Sequence, residues 1–205
     1  ERGSMLAPAQ SRTSQGYGPV TWSHLAWDSE VFGFPAARLV VAPGRDDYAE
    51  SVREYSAGVT RALTECRESG VRHVTARVPS DDLAAIHALE RAGFETIDGI
   101  QTFCLTLTGR LAATQAAVRR FAPADLPAVT ALARTAFVHD RFHADRSLPP
   151  GAADRVHEIW TANCCNGTMA DGVLVVEYAA LVAGFITCKL RSAAAGVITL
   201  VAVGP

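Results

Sequence analysis

Residues 172–205 read GVLVVEYAALVAGFITCKLRSAAAGVITLVAVGP, and this stretch decides how the rest of the chain is interpreted. Two apolar segments, Val173–Tyr178 and Leu181–Leu190, flank a two-residue break. A third segment, Val197–Val203, follows a linker of small residues. Each segment is about as long as a strand and is rich in Val, Ile, Thr and Phe, which strands favour. The pattern predicts an antiparallel hairpin followed by a third strand of the same sheet.

The composition narrows the class of protein. The 205 residues are 49% hydrophobic, which is enough for the core of one large domain or two small ones. The 19 Lys and Arg against 21 Asp and Glu give a net charge of −2, which argues against a nucleic-acid partner. No apolar run approaches the roughly 20 residues that span a bilayer, so no membrane partner is predicted. The 5 cysteines are odd in number and form no Cys-x-x-Cys pair, which favours a reduced, cytoplasmic protein.

The sequence before this sheet predicts a separate N-terminal domain. Residues 1–20 are interpreted as a tag remnant and a flexible arm. Apolar residues alternate at 38–42, 74–78 and 94–107, which predicts strands, and they follow a helical spacing at 48–66 and 83–89. The aromatic and acidic stretch 27–35 is predicted to be a loop. The resulting β-α-β-α-β order favours α/β layering over residues 21–108, closed by an Ala-rich linker at 109–116.

Residues 117–205 predict a second domain that contains the terminal sheet. A strand at 117–121 is followed by a helix that Asp125 caps, with Pro127 in the tolerated first turn. A polar and aromatic loop, VHDRFHADRSLPPG, then leads to a second helix that begins at Ala152. The predicted order is therefore β-α-α-β-β-β, with a charged loop between the two helices.

These residues resemble a known family. The segments VRRFAPADLPAVTALARTAF, VLVVEYAALVAGFITCKL and GVITLVAVGP follow the order of the first two-thirds of a GCN5-related N-acetyltransferase (GNAT) domain. LERAGFETI is similar to a closing segment of that superfamily, so residues 21–108 are expected to form a partial GNAT-like domain. WDSEVFGFPAARL and RFHADRSLPPGAADRVHEIW are similar to dTDP-fucosamine acetyltransferases, which acetylate the 4-amino group of a nucleotide-linked deoxysugar.

The resemblance implies a fold, a co-substrate and a reaction. The expected fold is α/β, or α+β layered, with a mixed and mostly antiparallel sheet. Acetyl-CoA would lie along the main chain of Leu200, Val201, Ala202 and Val203, and a small primary amine would attack its thioester directly. The family's pyrophosphate loop and its usual acid tyrosine would follow Pro205. The chain is therefore expected to be C-terminally incomplete, with catalysis assigned to the full-length protein.

Candidate acceptor-binding residues follow from the same resemblance. Arg141 is suited to a diphosphate and Phe142 to stacking on a base or sugar ring, and Asp145 lies beside them in sequence. Asp28 and Glu30 would face the acceptor amine. In the alternative interpretation, this stretch is structural: Trp27 and Phe32 attach the N-terminal domain to the other half of the chain, and Asp28 caps a turn.

Two residues are candidates for proton transfer. His143 could take a proton from the acceptor ammonium through water, because an unperturbed histidine has a pKa near neutrality, and Glu177 on the predicted hairpin would act as a base through water if it reached the acceptor. A zinc site is also considered, because His139 and His143 are four residues apart, and Asp140, Asp145 and His157 are near in sequence. Neither supporting residues around the ligands nor a cysteine spacing favours that site, so no metal is predicted.

Two alternatives stay open at the level of sequence. The chain could be a non-catalytic GNAT-like module that uses exposed strand edges to bind a partner or to form a homodimer. It could also be an acetyltransferase that acts on an amino acid or an antibiotic amine rather than on an amino-sugar nucleotide.

Overall fold

The computed structural model describes residues 18–43, 47–107 and 117–204. Within these ranges it has a three-stranded sheet, a four-stranded sheet and six α-helices, so the predicted mixture of α and β structure is confirmed. None of the described helices combines the length and apolarity needed to cross a membrane. The predicted linker at 109–116, and most of the predicted arm, lie outside the described residues. The described residues divide into two compact units, those within 1–99 and 145–149 and those within 100–144 and 150–205.

The first unit is a small mixed sheet covered by a long helix. Its strands are β1 (Val20–His24), β2 (Ala36–Val41) and β3 (His73–Ala76), and its helices are α1 (Ala26–Phe32), α2 (Tyr48–Glu68) and α3 (Leu83–Arg91). The central strand β2 pairs antiparallel with β1 and parallel with β3. Tyr55 and Val59 of α2 are buried in one core with Leu39 of β2, which confirms the predicted helical stripe. Asp47 begins α2 by accepting a hydrogen bond from the backbone N–H of Glu50.

The predicted loop at 27–35 is wrong, because most of it is helix α1. Val31, Phe32 and Asp28 are buried, and Gly33 ends the helix in the left-handed conformation at φ 77°. The hydroxyl of Ser29 donates to the carbonyl of Leu25 and accepts from the backbone N–H of Ala36, so one side chain ties α1 to β2. A helix of only 7 residues has too few turns to show a clear period in its sequence. Strand β1, which precedes α1, was also not predicted.

The strand predicted within residues 94–107 is absent from the described structure. Its alternating pattern is genuine, but Phe103 and Leu105 are 84% and 81% exposed. A strand is stabilised by cross-strand neighbours and by one buried face, and this segment has neither. The predicted β-α-β-α-β order of the N-terminal half therefore ends at α3.

A close approach between α2 and β1 requires a glycine. Gly58 lies in the middle of α2, and a Cβ added there would be 2.8 Å from Cγ2 and 2.9 Å from Cβ of Val20. Val20 is only 1% exposed and has no space into which it can withdraw. The helix therefore accepts a residue of poor helical propensity because any larger residue would separate helix and sheet.

The second unit has the predicted order of strands and helices, with one added short helix. Its elements are β4 (Ala117–Arg120), a 3-10 turn (Pro123–Asp125), α4 (Leu126–Ala136), α5 (Arg141–Ala144), α6 (Ala152–Cys165), β5 (Gly172–Tyr178), β6 (Leu181–Ser192) and β7 (Ala195–Val203). The strands form one antiparallel sheet in the order β4-β5-β6-β7. The predicted hairpin is confirmed as β5 and β6. Its two turn residues, Ala179 and Ala180, have φ of 50° and 62°, the sign that a type I′ hairpin turn requires.

Successive side chains of each strand point to opposite faces, so the sheet of the second unit has one covered face and one exposed face. Val173, Val175 and Phe185 form one core with Val129 and Ala133 of α4. On β7 the same alternation buries Leu200 and Ala202, each 6% exposed, and leaves Val201 and Val203 exposed at 57% and 69%. The helices therefore cover only one side of this sheet.

The contact between Gly58 and Val20 gives a test of the first unit. In most helix interiors a Gly→Ala change stabilises by about 1 kcal/mol. Here we expect Gly58→Ala to lower the free energy of unfolding by about 1–3 kcal/mol, because the added methyl group overpacks the core. Urea unfolding followed by circular dichroism measures the change. Ala57→Gly, at the exposed neighbouring position, is the control, and it should cost about 1 kcal/mol through helical propensity alone. A Gly58→Ala protein at least as stable as the wild type would contradict the packing.

Candidate functional site

The carboxylate of Asp140 is the centre of a polar cluster in the second unit. Asp140 immediately precedes α5, and its Oδ1 accepts hydrogen bonds from the backbone N–H groups of Phe142 (2.7 Å) and His143 (3.3 Å). Its Oδ2 lies 2.7 Å from Nδ1 of His143 and 3.0 Å from Nε2 of His157. One carboxylate therefore caps a short helix and contacts two imidazole rings that belong to different helices, α5 and α6.

His143 has a carboxylate on each side of its ring. Nδ1 faces Asp140, and Nε2 lies 3.1 Å from Oδ1 of Asp154 in the first turn of α6. Burial lowers the pKa of His143, but the hydrogen bonds to Asp140 and Asp154 outweigh burial and leave the pKa above its usual value. Neither ring nitrogen therefore points to an open space in which a substrate could be deprotonated.

The ring of His157 is held in place by aromatic neighbours. It stacks on Phe137 with a centroid distance of 4.4 Å, and Trp160 and His143 lie nearly parallel to it at 6.4 Å and 6.0 Å. Only 5% of the His157 side chain is exposed, and its Nδ1 has no hydrogen-bond partner among the described residues. Packing thus fixes the direction in which Nε2 of His157 points, which is toward Asp140.

The electrostatics of the cluster favour an ionised carboxylate. Burial raises the pKa of Asp140, but hydrogen bonds from His157, from His143 and from the backbone N–H of Phe142 outweigh that effect and lower the pKa well below its usual range. The ligand atoms of Asp140, His143 and His157 all lie within 4.8 Å of one another. Such a set can hold protons between its members or can hold a cation.

Arg141 and Phe142, both predicted to bind the acceptor, form a pair within α5. The guanidinium of Arg141 lies over the ring of Phe142, 4.0 Å from its centroid. Phe142 is only 6% exposed and contacts the ring of His157 edge-on, so its role in the described structure is packing. Of the two residues, Arg141 is the one whose side chain is partly accessible.

The other three predicted acceptor residues belong to the first unit. Asp145 has both carboxylate oxygens engaged, Oδ2 with Nε2 of His73 at 2.8 Å and Oδ1 with the backbone N–H and hydroxyl of Ser147. Asp28 lies on α1 and is 7% exposed, whereas Glu30 on the same helix is exposed. The buried Asp28 is consistent with the interpretation of this stretch as structural.

Glu177, the second residue predicted to transfer protons, lies on β5 in an ion-pair network. Its Oε1 accepts from Nε of Arg119 at 2.9 Å, and the same guanidinium donates to both carboxylate oxygens of Asp125 at 2.7 and 2.8 Å. Asp125 in turn accepts from the backbone N–H of Ala122 at 2.8 Å. The network joins β4, β5 and the start of α4, and it gives the Glu177 carboxylate a structural partner.

Sequence reasoning missed Asp154 and used Asp140 and His157 only as sequence neighbours of His143. The spacing of Asp154 and His157 was an available signal, because residues three apart share one face of a helix. Asp140 also offered a signal, since Asp is a preferred residue immediately before a helix. Nothing in the sequence indicates that α5 brings its face toward α6.

The comparisons with known proteins leave the family assignment open. No protein-family model matches this chain, and a search of curated proteins finds no significant match. The likeness to acetyltransferases therefore stays a prediction that depends on the motifs and the topology.

The network around Arg119 predicts a pH-dependent stability. Hydrogen bonds from Arg119 and the backbone N–H of Ala122 lower the pKa of Asp125 to about 2. A lowered pKa means that the contribution of Asp125 to stability is complete above the pKa of the unfolded chain, and is lost as the pH falls through about 2. The difference in unfolding free energy between wild type and Asp125→Asn should therefore be largest near pH 6 and should shrink toward pH 2. Urea unfolding across this range measures it. A difference that stays constant with pH would show that the charge of Asp125 contributes nothing.

Proposed function

We propose that this chain carries an acetyl-CoA-dependent N-acetyltransferase domain of the GCN5-related type, which acetylates a small primary amine. The support is the topology of the second unit. A strand and two main helices precede an antiparallel hairpin and a further strand, and the four strands pair in sequence order. This is the arrangement that the sequence resemblance implies, and it occupies the same residues.

The single observation that carries the proposal is the outer edge of β7. Within the described residues β7 pairs only with β6, so its other edge has no strand beside it. The backbone N–H of Gly204 donates to the carbonyl of Ala183 at 2.7 Å, and that of Leu200 donates to the Thr187 hydroxyl at 2.9 Å. Because backbone groups alternate in direction along a strand, the N–H and C=O groups of Val201 and Val203 point to the open edge.

An open strand edge suits the amide-rich pantetheine arm of acetyl-CoA. The arm contains two amide groups in an extended chain, and it would pair with the main chain of β7 as an added strand does. The exposed side chains of Val201 and Val203 stand beside this edge and would contact its methylene groups.

The proposed reaction needs no covalent enzyme intermediate. The lone pair of the neutral amine attacks the thioester carbonyl carbon, and the carbonyl π electrons move to oxygen. A backbone N–H of β7 stabilises that oxyanion. When the carbonyl re-forms, the C–S bond breaks, the CoA thiolate leaves, and the nitrogen gives up its proton to solvent or to a nearby base. The positions of Glu177 and His143 do not single out that base.

An amino-deoxysugar nucleotide is the acceptor class that we propose. Arg141 is half-buried as a residue, and its guanidinium is suited to the diphosphate of such a nucleotide, because a guanidinium binds phosphate oxygens through two parallel hydrogen bonds. The test is release of CoA thiol in the presence of acetyl-CoA and candidate amines. Turnover with an amino-sugar nucleotide supports this acceptor class. Turnover with amino acids or aminoglycosides alone would contradict it and would identify those amines as the acceptors.

The role of the β7 main chain gives a direct prediction for co-substrate binding. Val201→Pro removes one outward N–H while leaving the inward hydrogen bonds to β6, and proline is tolerated at such edge positions. We expect Val201→Pro to weaken acetyl-CoA binding about tenfold, the cost of one hydrogen bond of about 1.4 kcal/mol. Calorimetric titration measures the effect, and S-acetylpantetheine should compete for the site.

Val201→Ala is the matched control for this substitution, because it shortens the side chain and keeps the N–H. It should bind acetyl-CoA nearly as well as the wild type does. Circular dichroism confirms that both variants are folded. Equal affinity of Val201→Pro and Val201→Ala for acetyl-CoA would contradict the proposed binding of acetyl-CoA by the main chain of β7.

A second candidate function is self-association through the exposed face of the same sheet. Leu174, Val201 and Val203 lie on this face and are 37%, 57% and 69% exposed. Contiguous apolar surface of this kind marks interaction sites. Sedimentation velocity distinguishes the two cases. A dimer that persists in the presence of acetyl-CoA favours a binding module, whereas a monomer with transferase activity favours the acetyltransferase.

A further inference from the structure

The cluster around Asp140 has the chemistry of a metal site. It offers one carboxylate oxygen and two imidazole nitrogens, and Oδ2 of Asp140 lies 2.7 Å and 3.0 Å from the nitrogens of His143 and His157. Zinc binds such atoms at about 2.0–2.2 Å, which places tetrahedral ligand atoms about 3.3 Å apart. Oδ2 of Asp140 would have to move a few tenths of an ångström away from both nitrogens, and the two nitrogens, which lie within 4.8 Å of each other, would have to come to the same spacing.

The groups around two of the ligands, His143 and Asp140, are also those of a metal site. A histidine that binds a metal commonly donates its other N–H to a carboxylate, which fixes the ring and raises its basicity. Asp154 lies in that position, with its Oδ1 3.1 Å from Nε2 of His143. The second oxygen of Asp140 is held by two backbone N–H groups, so the carboxylate is oriented before any ion arrives.

Burial and packing make the arrangement rigid. The side chains of Asp140 and His143 are each 23% exposed, which leaves a path for an ion to enter. The His157 side chain is 5% exposed and stacks on Phe137, and the ring of His143 lies nearly parallel to it at 6.0 Å. A preorganised set of ligands loses less conformational entropy when it binds an ion.

The charges also balance. Asp140 and Asp154 contribute two negative charges, and a divalent cation bound at Asp140 would balance both. Two protonated imidazoles would have the same effect, so a purely hydrogen-bonded cluster is the competing explanation. Arg141 is the cation adjacent in sequence, and its guanidinium lies over Phe142.

We propose that Asp140, His143 and His157 form a binding site for a divalent transition-metal ion of the zinc class. Mixed nitrogen and oxygen ligands favour zinc and its neighbours over magnesium or calcium. Three protein ligands leave a fourth position for water or another donor, as in zinc sites that act on a substrate rather than purely structural ones. The site uses side chains of α5, α6 and the residue before α5, and none of them lies on β7, the strand proposed to bind acetyl-CoA.

The test is titration of the full chain with Zn²⁺ in competition with a chromogenic chelator, after treatment with EDTA and removal of EDTA. We expect one tight site in the wild type. His143→Gln should weaken binding at least tenfold, and Asp154→Asn should weaken it about 10- to 100-fold through loss of the supporting carboxylate. Replacement of Zn²⁺ by Co²⁺ should give visible absorption bands from a tetrahedral site, and His143→Gln should remove them.

His139→Gln is the matched control, because His139 is exposed, lies next to Asp140 and is outside the cluster. This variant should keep wild-type affinity and the Co²⁺ spectrum. The control and the test change the same residue type in one short segment. Circular dichroism of both variants shows whether either substitution unfolds the protein. Equal Zn²⁺ affinity of wild type and His143→Gln, or a Co²⁺ spectrum typical of thiolate ligands, would overturn the proposal and leave a hydrogen-bonded cluster.

Discussion

The register between β6 and β7 is the constraint on which the second unit depends. The buried hydroxyl of Thr187 contacts that of Thr199 at 2.6 Å and accepts the backbone N–H of Leu200, at a point where the pairing of the two strands is irregular. Gly184 allows the strands to approach, since an added Cβ would lie 2.8 Å from the carbonyl oxygen of Ala202. A shift of one residue would reverse every side chain of β7 between the core and solvent. It would also exchange the backbone groups that face the open edge.

The covered face of the sheet and the polar cluster are two results of the same packing. Helices α4 and α6 bury Val129 and Cys164 against the sheet, and α6 thereby brings His157 to the start of α5. Asp140 then holds α5 to α6 through one carboxylate. The proposed co-substrate edge and the proposed metal site belong to one unit but depend on different groups, the main chain of β7 in the first case and side chains in the second.

Most of the helices and strands were predictable from the sequence, because the patterns that indicate them lie within short stretches of the chain. The two-residue break at Ala179–Ala180 between β-branched runs predicted the hairpin, and the apolar spacing around Tyr55 predicted α2. The segment at 94–107 failed because alternation alone supplies no neighbouring strand. The cluster was only partly predictable, since Asp140 and His157 meet through the path of residues 138–151, and no short-range pattern encodes that path.

Amide hydrogen exchange followed by NMR, with and without acetyl-CoA, tests most directly whether β7 binds the co-substrate. In the free protein the outward amides of Val201 and Val203 should exchange quickly, and those of Leu200 and Gly204 slowly, because within the described residues the second pair is hydrogen-bonded and the first pair faces the open edge. On addition of acetyl-CoA we expect protection to rise at Val201 or Val203 and to change little at Leu200 and Gly204. Unchanged exchange along β7 at saturating acetyl-CoA would contradict the account.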